Sequence, residues 1–155
     1  MSSRSSKKIL KKLSLRDLKK VFDLSNDPVV RKWSLKKSRI SIAKHKIWFK
    51  NELYRNNFFY KFVYGLKTFG IIRLSLKKKK YFLSYLIASE FRGRNLGSKM
   101  IKLFTNKIRK NRKIDIDKVF AVSFKKNISS NKTLKKSGFL IHRKTNNKNI
   151  YILNI

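Results

Sequence analysis

Apolar residues first cluster at Ile9 to Leu13, a length that suits an opening strand. Ser14-Leu15-Arg16-Asp17 then reads as a helix start, with a hydroxyl at the cap and an acid three residues on. Leu15, Leu18, Val21, Phe22 and Leu24 or Ser25 share one face of a first helix, which Asn26-Asp27-Pro28 breaks. Val29 to Trp33 begins a loop or short helix. Ser41 caps a second helix, with Ile42, His45, Trp48, Phe49 and Leu53 on its apolar face. Strands follow over Phe58–Tyr64, Phe69–Leu76 and Tyr81–Ala88, turned at Gly65 and at Lys77-Lys78-Lys79-Lys80. The apolar run of the third strand suits a central position buried on both faces. A helix is expected from about Ser98 to Lys110, a strand over Val119–Phe124, and a short helix over Ser129–Ser137 stopped by Gly138. Phe139–His142 and Ile150–Leu153 close the sheet as an antiparallel pair. The order predicts an α/β fold with a mixed, mostly antiparallel central sheet flanked by helices.

At 155 residues the chain fits one core, with a flexible basic tail over 1–8 and a single domain over 9–155. No run approaches the ~20 apolar residues that span a bilayer. The polar start carries no secretory pattern, so a cytoplasmic protein is the expectation. Cysteine is absent, which removes disulfides, thiol nucleophiles and zinc–thiolate sites, and no metal is expected. The net charge of +35 has two explanations. Clustered cations bind polyanions by releasing counterions. Lys, Asn, Ile and Phe are also what AT-rich codons supply, and the lysines are scattered rather than gathered into an arm. Nucleic-acid binding is therefore possible but not favoured.

The loop after Ala88 changes the picture most. Glycines at 93 and 97 keep side chains away from an approaching ligand. Successive amides and the start of the next helix form an anion site suited to a diphosphate, with Arg92 and Arg94 as charged donors. Spacing alone leaves a plain structural turn as an equal alternative. Arg92-Gly93-Arg94-Asn95-Leu96-Gly97-Ser98, preceded by Tyr85 to Phe91, resembles the acetyl-CoA loop of the GNAT N-acetyltransferases. Asn95 stands where a middle glycine is usual, and Asn tolerates left-handed backbone angles. A second resemblance joins Asn127-Ile128-Ser129-Ser130 to Lys136-Ser137-Gly138-Phe139.

The resemblance implies direct attack of an amine on the thioester of acetyl-CoA, in a sheet splayed at the donor site. Backbone amides at Leu86, Ile87 and Ala88 would meet the donor, the 92–98 loop its diphosphate, and Asn127 its pantetheine arm. Leu134 occupies the position of a Tyr that protonates the leaving thiolate in many members. Tyr85, Ser130 or water would serve instead, or the thiolate would leave unprotonated. A family Glu is missing from Tyr81–Ala88, and Glu90 reads as structural. His45, with an ordinary pKa of ~6.5, is the candidate proton relay, against the alternative of a buried helix histidine. His142 reads as exposed.

Asn26-Asp27-Pro28-Val29-Val30-Arg31-Lys32-Trp33 and Ile40 to Phe49 resemble the amino-sugar N-acetyltransferases of the pseudaminic acid pathway. That resemblance implies acetylation of the 4-amino group of a UDP-linked amino-deoxy sugar. His45 and Trp48 would line the acceptor pocket, Trp33, Ser34 and Leu35 would lie near the nucleotide, and Arg31 would reach a phosphate. Core packing is the alternative for both tryptophans. Cationic acceptors are disfavoured, because seven acids make an acidic pocket hard to assemble. A monomer or a homodimer is expected.

Overall fold

The computed structural model describes residues 7–56 and 58–155, so the tail expected over 1–8 falls outside the described residues except at Lys7 and Lys8. Strand β1 (Ile9–Lys12) leads into a 3-10 turn at Leu15–Asp17 and helix α1 (Leu18–Ser25). The Ser14 amide donates to the Asp17 carboxylate at 2.9 Å, as the capping pattern predicts. Helix α2 (Pro28–Trp33) and helix α3 (Ile42–Arg55) follow, so the break at Asn26-Asp27-Pro28 is a junction between two helices. Asp27 caps α2 by accepting the Val29 and Val30 amides at 3.0 and 3.1 Å, with Pro28 in the first turn. Next come β2 (Phe59–Tyr64), β3 (Lys67–Lys77), β4 (Lys80–Ile87), α4 (Leu96–Lys110), β5 (Lys118–Phe124), α5 (Ile128–Lys136), β6 (Leu140–Lys144) and β7 (Lys148–Asn154).

The seven strands form one sheet in the order β1-β2-β3-β4-β5-β7-β6. Only β4 and β5 run parallel among the described residues; the other pairs are antiparallel. The fold class is the expected one. The core takes Phe49, Phe62, Ile72, Leu74, Met100, Ile101, Phe104, Leu134, Phe139 and Tyr151, all fully buried. Helix α4 packs on one face, where Phe104 meets Tyr60 edge-on at 5.8 Å. Helix α3 packs on the other, where Phe49 meets Phe59 at 5.7 Å.

One expectation about the sheet fails. Strand β4 is largely half-exposed, with Ser84 open, instead of buried on both faces. The cause is its pairing. Eight of its residues pair with β3, but only Tyr81, Phe82 and Leu83 pair with β5, opposite Val119, Phe120 and Ala121. Beyond that point the two strands diverge, leaving a wedge between Ser84–Ile87 and Val122–Phe124.

Candidate active site

The wedge is bounded on one side by α4 and α5. Tyr85 and Ile87 point toward those helices: the Tyr85 hydroxyl lies 3.3 Å from Ser130 Oγ, and Ile87 flanks Gly97. Burial raises the Tyr85 pKa, only partly offset by its hydrogen bonds to Ser130 and Thr133, so the phenol stays protonated and can donate. Ser84, Leu86 and Ala88 face the opposite side. Of the three amides expected to meet the donor, only Ile87 faces the wedge. The Ala88 amide donates to the Phe69 carbonyl at 2.8 Å, and strand alternation turns Leu86 the same way. Alternation adds the Tyr85 amide to the open side, beyond the three expected.

At the wedge mouth the chain turns through Gly93 (φ +75°) and Asn95 (φ +56°), both left-handed. Asn95 thus adopts the backbone that its replacement of a glycine requires. It precedes α4 without a side-chain cap, which leaves the leading amides of Leu96, Gly97 and Ser98 to an anion. Its Oδ1 accepts from Lys136 at 2.8 Å instead, tying α5 to the loop. A Cβ at Gly97 would lie 3.0 Å from Thr133 Cγ2, so this glycine permits close approach of α4 and α5.

The arginines divide. Arg92, expected on a diphosphate, gives its Nε to the Ile87 carbonyl at 3.0 Å and pairs with Asp27 at 2.8 Å. Burial alone would raise the Asp27 pKa, but Arg92 and the Val29 and Val30 amides outweigh it and hold the carboxyl below its ordinary value. Arg94 turns over the Phe91 ring at 5.9 Å, beside a cavity of about 630 Å³ lined by Lys7, Lys8, Tyr64, Phe69 and Leu96 as well.

Asn127 caps α5, accepting from the Ser130 amide at 3.2 Å. Four residues on, Asn131 does more than any motif signalled. Its Nδ2 donates to the Phe124 and Asn127 carbonyls at 2.9 and 2.7 Å, and its Oδ1 accepts from Tyr151 at 2.6 Å and Asn149 at 3.0 Å. This network fixes the β5–α5 side of the wedge to β7. A lone polar residue on a helix gives no sequence signal for it, because every partner is a backbone carbonyl or lies on a distant strand.

On the acceptor side, several expected ligands are occupied by the fold itself. His45 is 1% exposed, stacked against Phe49 at 5.6 Å and near Phe22 and Trp48, with Nε2 donating to the Leu18 carbonyl at 3.0 Å. A ring sealed in this way meets no substrate, so the buried-histidine alternative describes it and the relay does not. Trp48 packs on Phe59 with the Arg73 guanidinium over its ring at 5.3 Å. Arg31 spends its donors on the Ser25 and Lys36 carbonyls and the Ser34 hydroxyl at 2.7–2.9 Å, which folds the 34–38 loop rather than reaching a phosphate. Trp33 remains half-exposed against Phe124, with centroids 6.3 Å apart. His142 is exposed, as expected.

The histidine carries a stability prediction. Burial, partly countered by the Leu18 bond, lowers its pKa below 6.5. A depressed folded pKa means full stability above the unfolded value and loss as pH falls below about 6.5. His45→Phe should remove that decline in urea titrations at pH 7.5, 6.5 and 5.5. It should also cost about 1–2 kcal/mol at pH 7.5, because the Leu18 carbonyl loses its donor.

Helix α2 spans the wedge, its Asp27 tied to Arg92 after β4 and its Trp33 packed on the end of β5. Under its start lies a cavity of about 380 Å³ lined by Asp23, Asp27, Glu90, Lys20, Arg39, Asn26 and Ala88, among others. Three of the chain's seven acids meet there, but Lys20 and Arg39 share the lining, Asp23 pairs with Lys19 and Asp27 with Arg92, so the pocket is of mixed charge. Chain folding brings positions 23, 27 and 90 together, which composition does not reveal.

Residues 8–140 match the family model described as "Acetyltransferase (GNAT) domain". No curated relative matches at the sequence level. A Methanocaldococcus jannaschii domain superposes with a TM-score of 0.81 at 20% identity, over 97% of this chain and 99% of that one. A Vibrio cholerae spermidine N-acetyltransferase in complex with CoA and spermine gives 0.79 at 13% identity, over 96% of each chain. An aminoglycoside acetyltransferase in complex with coenzyme A and kanamycin gives 0.80 at 11%, over 96% and 95%. These neighbours share the fold; the splayed β4–β5 pair, the left-handed loop into α4 and the family match together identify the activity. The chain belongs to the GNAT family and is an acetyl-CoA-dependent N-acetyltransferase.

Proposed function

We propose that the protein transfers the acetyl group of acetyl-CoA directly to the primary amine of a UDP-linked 4-amino-deoxy sugar. The wedge between β4 and β5 carries the donor half of this reading. The pantetheine arm would lie along the Tyr85 and Ile87 amides, with Asn127 beyond, and the diphosphate on the leading amides of α4. Arg94, Lys7 and Lys8 offer charge to its far end.

The chemistry needs an uncharged amine, a polarised carbonyl and an acceptable leaving group. The amine lone pair attacks the thioester carbonyl; the C–N bond forms as the C–S bond breaks, and CoA departs as a thiolate. The nitrogen loses a proton to water or to a carboxylate of the 380 Å³ pocket. Tyr85 is the donor to the thiolate, held by Ser130 on the helix that carries Leu134 at the usual Tyr position. A thiol is acidic enough that this proton matters modestly. Tyr85→Phe should therefore lower kcat about tenfold, less than general acids usually contribute. Stopped-flow thiol release would test it, and an unchanged kcat would return the role to water.

The sugar acceptor rests on the 26–49 resemblance, of which Trp33 stays available to a ligand. A second reading, a polycationic acceptor, draws on Asp23, Asp27 and Glu90 around the 380 Å³ pocket. Thiol release with a UDP-4-amino sugar, spermidine, kanamycin and an N-terminal peptide separates them. Highest kcat/KM on the sugar supports the first reading; highest on spermidine or kanamycin replaces it with the second.

A further inference from the structure

The far end of α2 holds a cluster that acetyl transfer itself does not use. Trp33 packs on Phe124, and two lysines from different segments lie over the Phe124 ring, Lys37 at 5.8 Å and Lys148 at 5.3 Å. Lys32 stands over Trp33 at 5.0 Å. The aromatic surface continues along the same face of β5, where Phe120 meets Phe82 at 5.7 Å and the His142 ring at 5.5 Å, with Lys80 over it at 5.2 Å. Val122, between these rings, is 44% exposed, so no helix among the described residues covers this stretch of sheet. None of the chain's seven acids belongs to the cluster.

Charge differs along α2. Around its first end Asp23, Asp27 and Glu90 are mixed with Lys20, Arg39 and Arg92; its last end carries planar rings and lysines with no acid among them. Six helical residues separate the two by about 9 Å, on the order of a pyranose with part of a diphosphate. A simple polyamine would be repelled at the second end. A planar base stacks on rings of this kind, and lysines meet its phosphates as point charges. The cluster lies on the face of the sheet opposite α4 and α5, away from the amides that suit the donor's diphosphate.

We infer that Trp33, Phe124, Lys37 and Lys148 form the subsite for the nucleotide end of the acceptor, base on the rings and diphosphate under the lysines. The inference rests on the nucleotide-sugar reading and names its anchoring residues.

The test is UDP binding by calorimetry to the full chain, alongside acetyl-CoA binding. Wild type should bind UDP, and Lys37→Glu/Lys148→Glu should weaken it at least tenfold with acetyl-CoA affinity unchanged within twofold. Trp33→Leu should weaken UDP and uridine together, as loss of stacking requires. Lys110→Glu/Lys113→Glu, at the distant end of α4, removes the same charge and should cost little. Absence of UDP binding, equal losses in both double variants, or a loss confined to acetyl-CoA would each overturn the subsite. UDP binding without turnover of any UDP-amino sugar sinks the acceptor reading and keeps the subsite. Turnover of that sugar with a KM indifferent to Lys37→Glu/Lys148→Glu does the reverse.

Discussion

Gly97→Trp should weaken acetyl-CoA binding by more than about 100-fold in calorimetry, while circular dichroism still reports a folded α/β chain. The reason lies in how tightly α4 approaches α5. A Cβ at position 97 would already lie 3.0 Å from the Thr133 methyl and 3.7 Å from Ile87 Cγ1. A methyl at 97 needs the Thr133 side chain to give by only a few tenths of an ångström, so Gly97→Ala should cost only a few-fold. An indole has no such room. It must either push α5 outward, at about 1–3 kcal/mol of overpacking, or turn across the leading amides of α4 and displace the diphosphate. Losing charge-assisted hydrogen bonds there costs about 1.5–3 kcal/mol. At that cost for each bond, losing two amounts to about 3–6 kcal/mol, and since tenfold in affinity corresponds to about 1.4 kcal/mol the loss exceeds 100-fold. An unchanged Kd in a folded variant would mean that the donor lies elsewhere.

Local patterns in the chain announce most of the elements and the donor loop. Ser14, Ser41, Asp27 and Gly138 work through neighbours within a few residues, and the helices they bound lie where periodicity sets them. The α4 start shifts from Ser98 to Leu96 because Asn95, not Ser98, makes the left-handed entry. Asn95 itself was legible, since its chemistry permits the backbone that the loop needs. The acceptor side was much less so. Arg31 and Arg92 look alike as phosphate ligands in sequence, yet each is claimed by carbonyls or by a carboxylate that only the folded chain supplies. His45 sits at a helical core position and is buried there, and the Leu18 carbonyl that holds it lies 27 residues away. Charge carried the same ambiguity. A total of +35 says nothing about where seven acids go, and three of them converge on one cavity beside the end of β4.

That convergence makes Asp27 the position where a small change should cost the most on the acceptor side. Asp27→Ala removes the acceptor of two α2 amides, worth about 0.5–2 kcal/mol as a cap. It also removes the partner of Arg92, across 65 residues of sequence, and with it the tie between α2 and the end of β4. The catalytic constellation should then loosen. A misplacement near 1 Å costs on the order of 100-fold in turnover, so kcat/KM for the amine acceptor should fall by about that factor. Donor binding should respond the other way. Freed from Asp27, the Arg92 guanidinium can turn toward the diphosphate, and acetyl-CoA affinity should hold or rise. Asp27→Asn keeps a capping oxygen and loses the charge, so it should fall between wild type and alanine. In a double-mutant cycle, Asp27→Ala with Arg92→Ala should be little worse than either alone, because both remove one tie. The pH response has a definite sign. Since the Asp27 carboxyl is held below its ordinary value of 3.8, the tie is intact above that pH and is lost only as pH falls through the depressed folded value. An acid limb in kcat/KM near pH 5 or 6 therefore comes from another group, and additive losses in the cycle would show that α2 is anchored independently of Arg92.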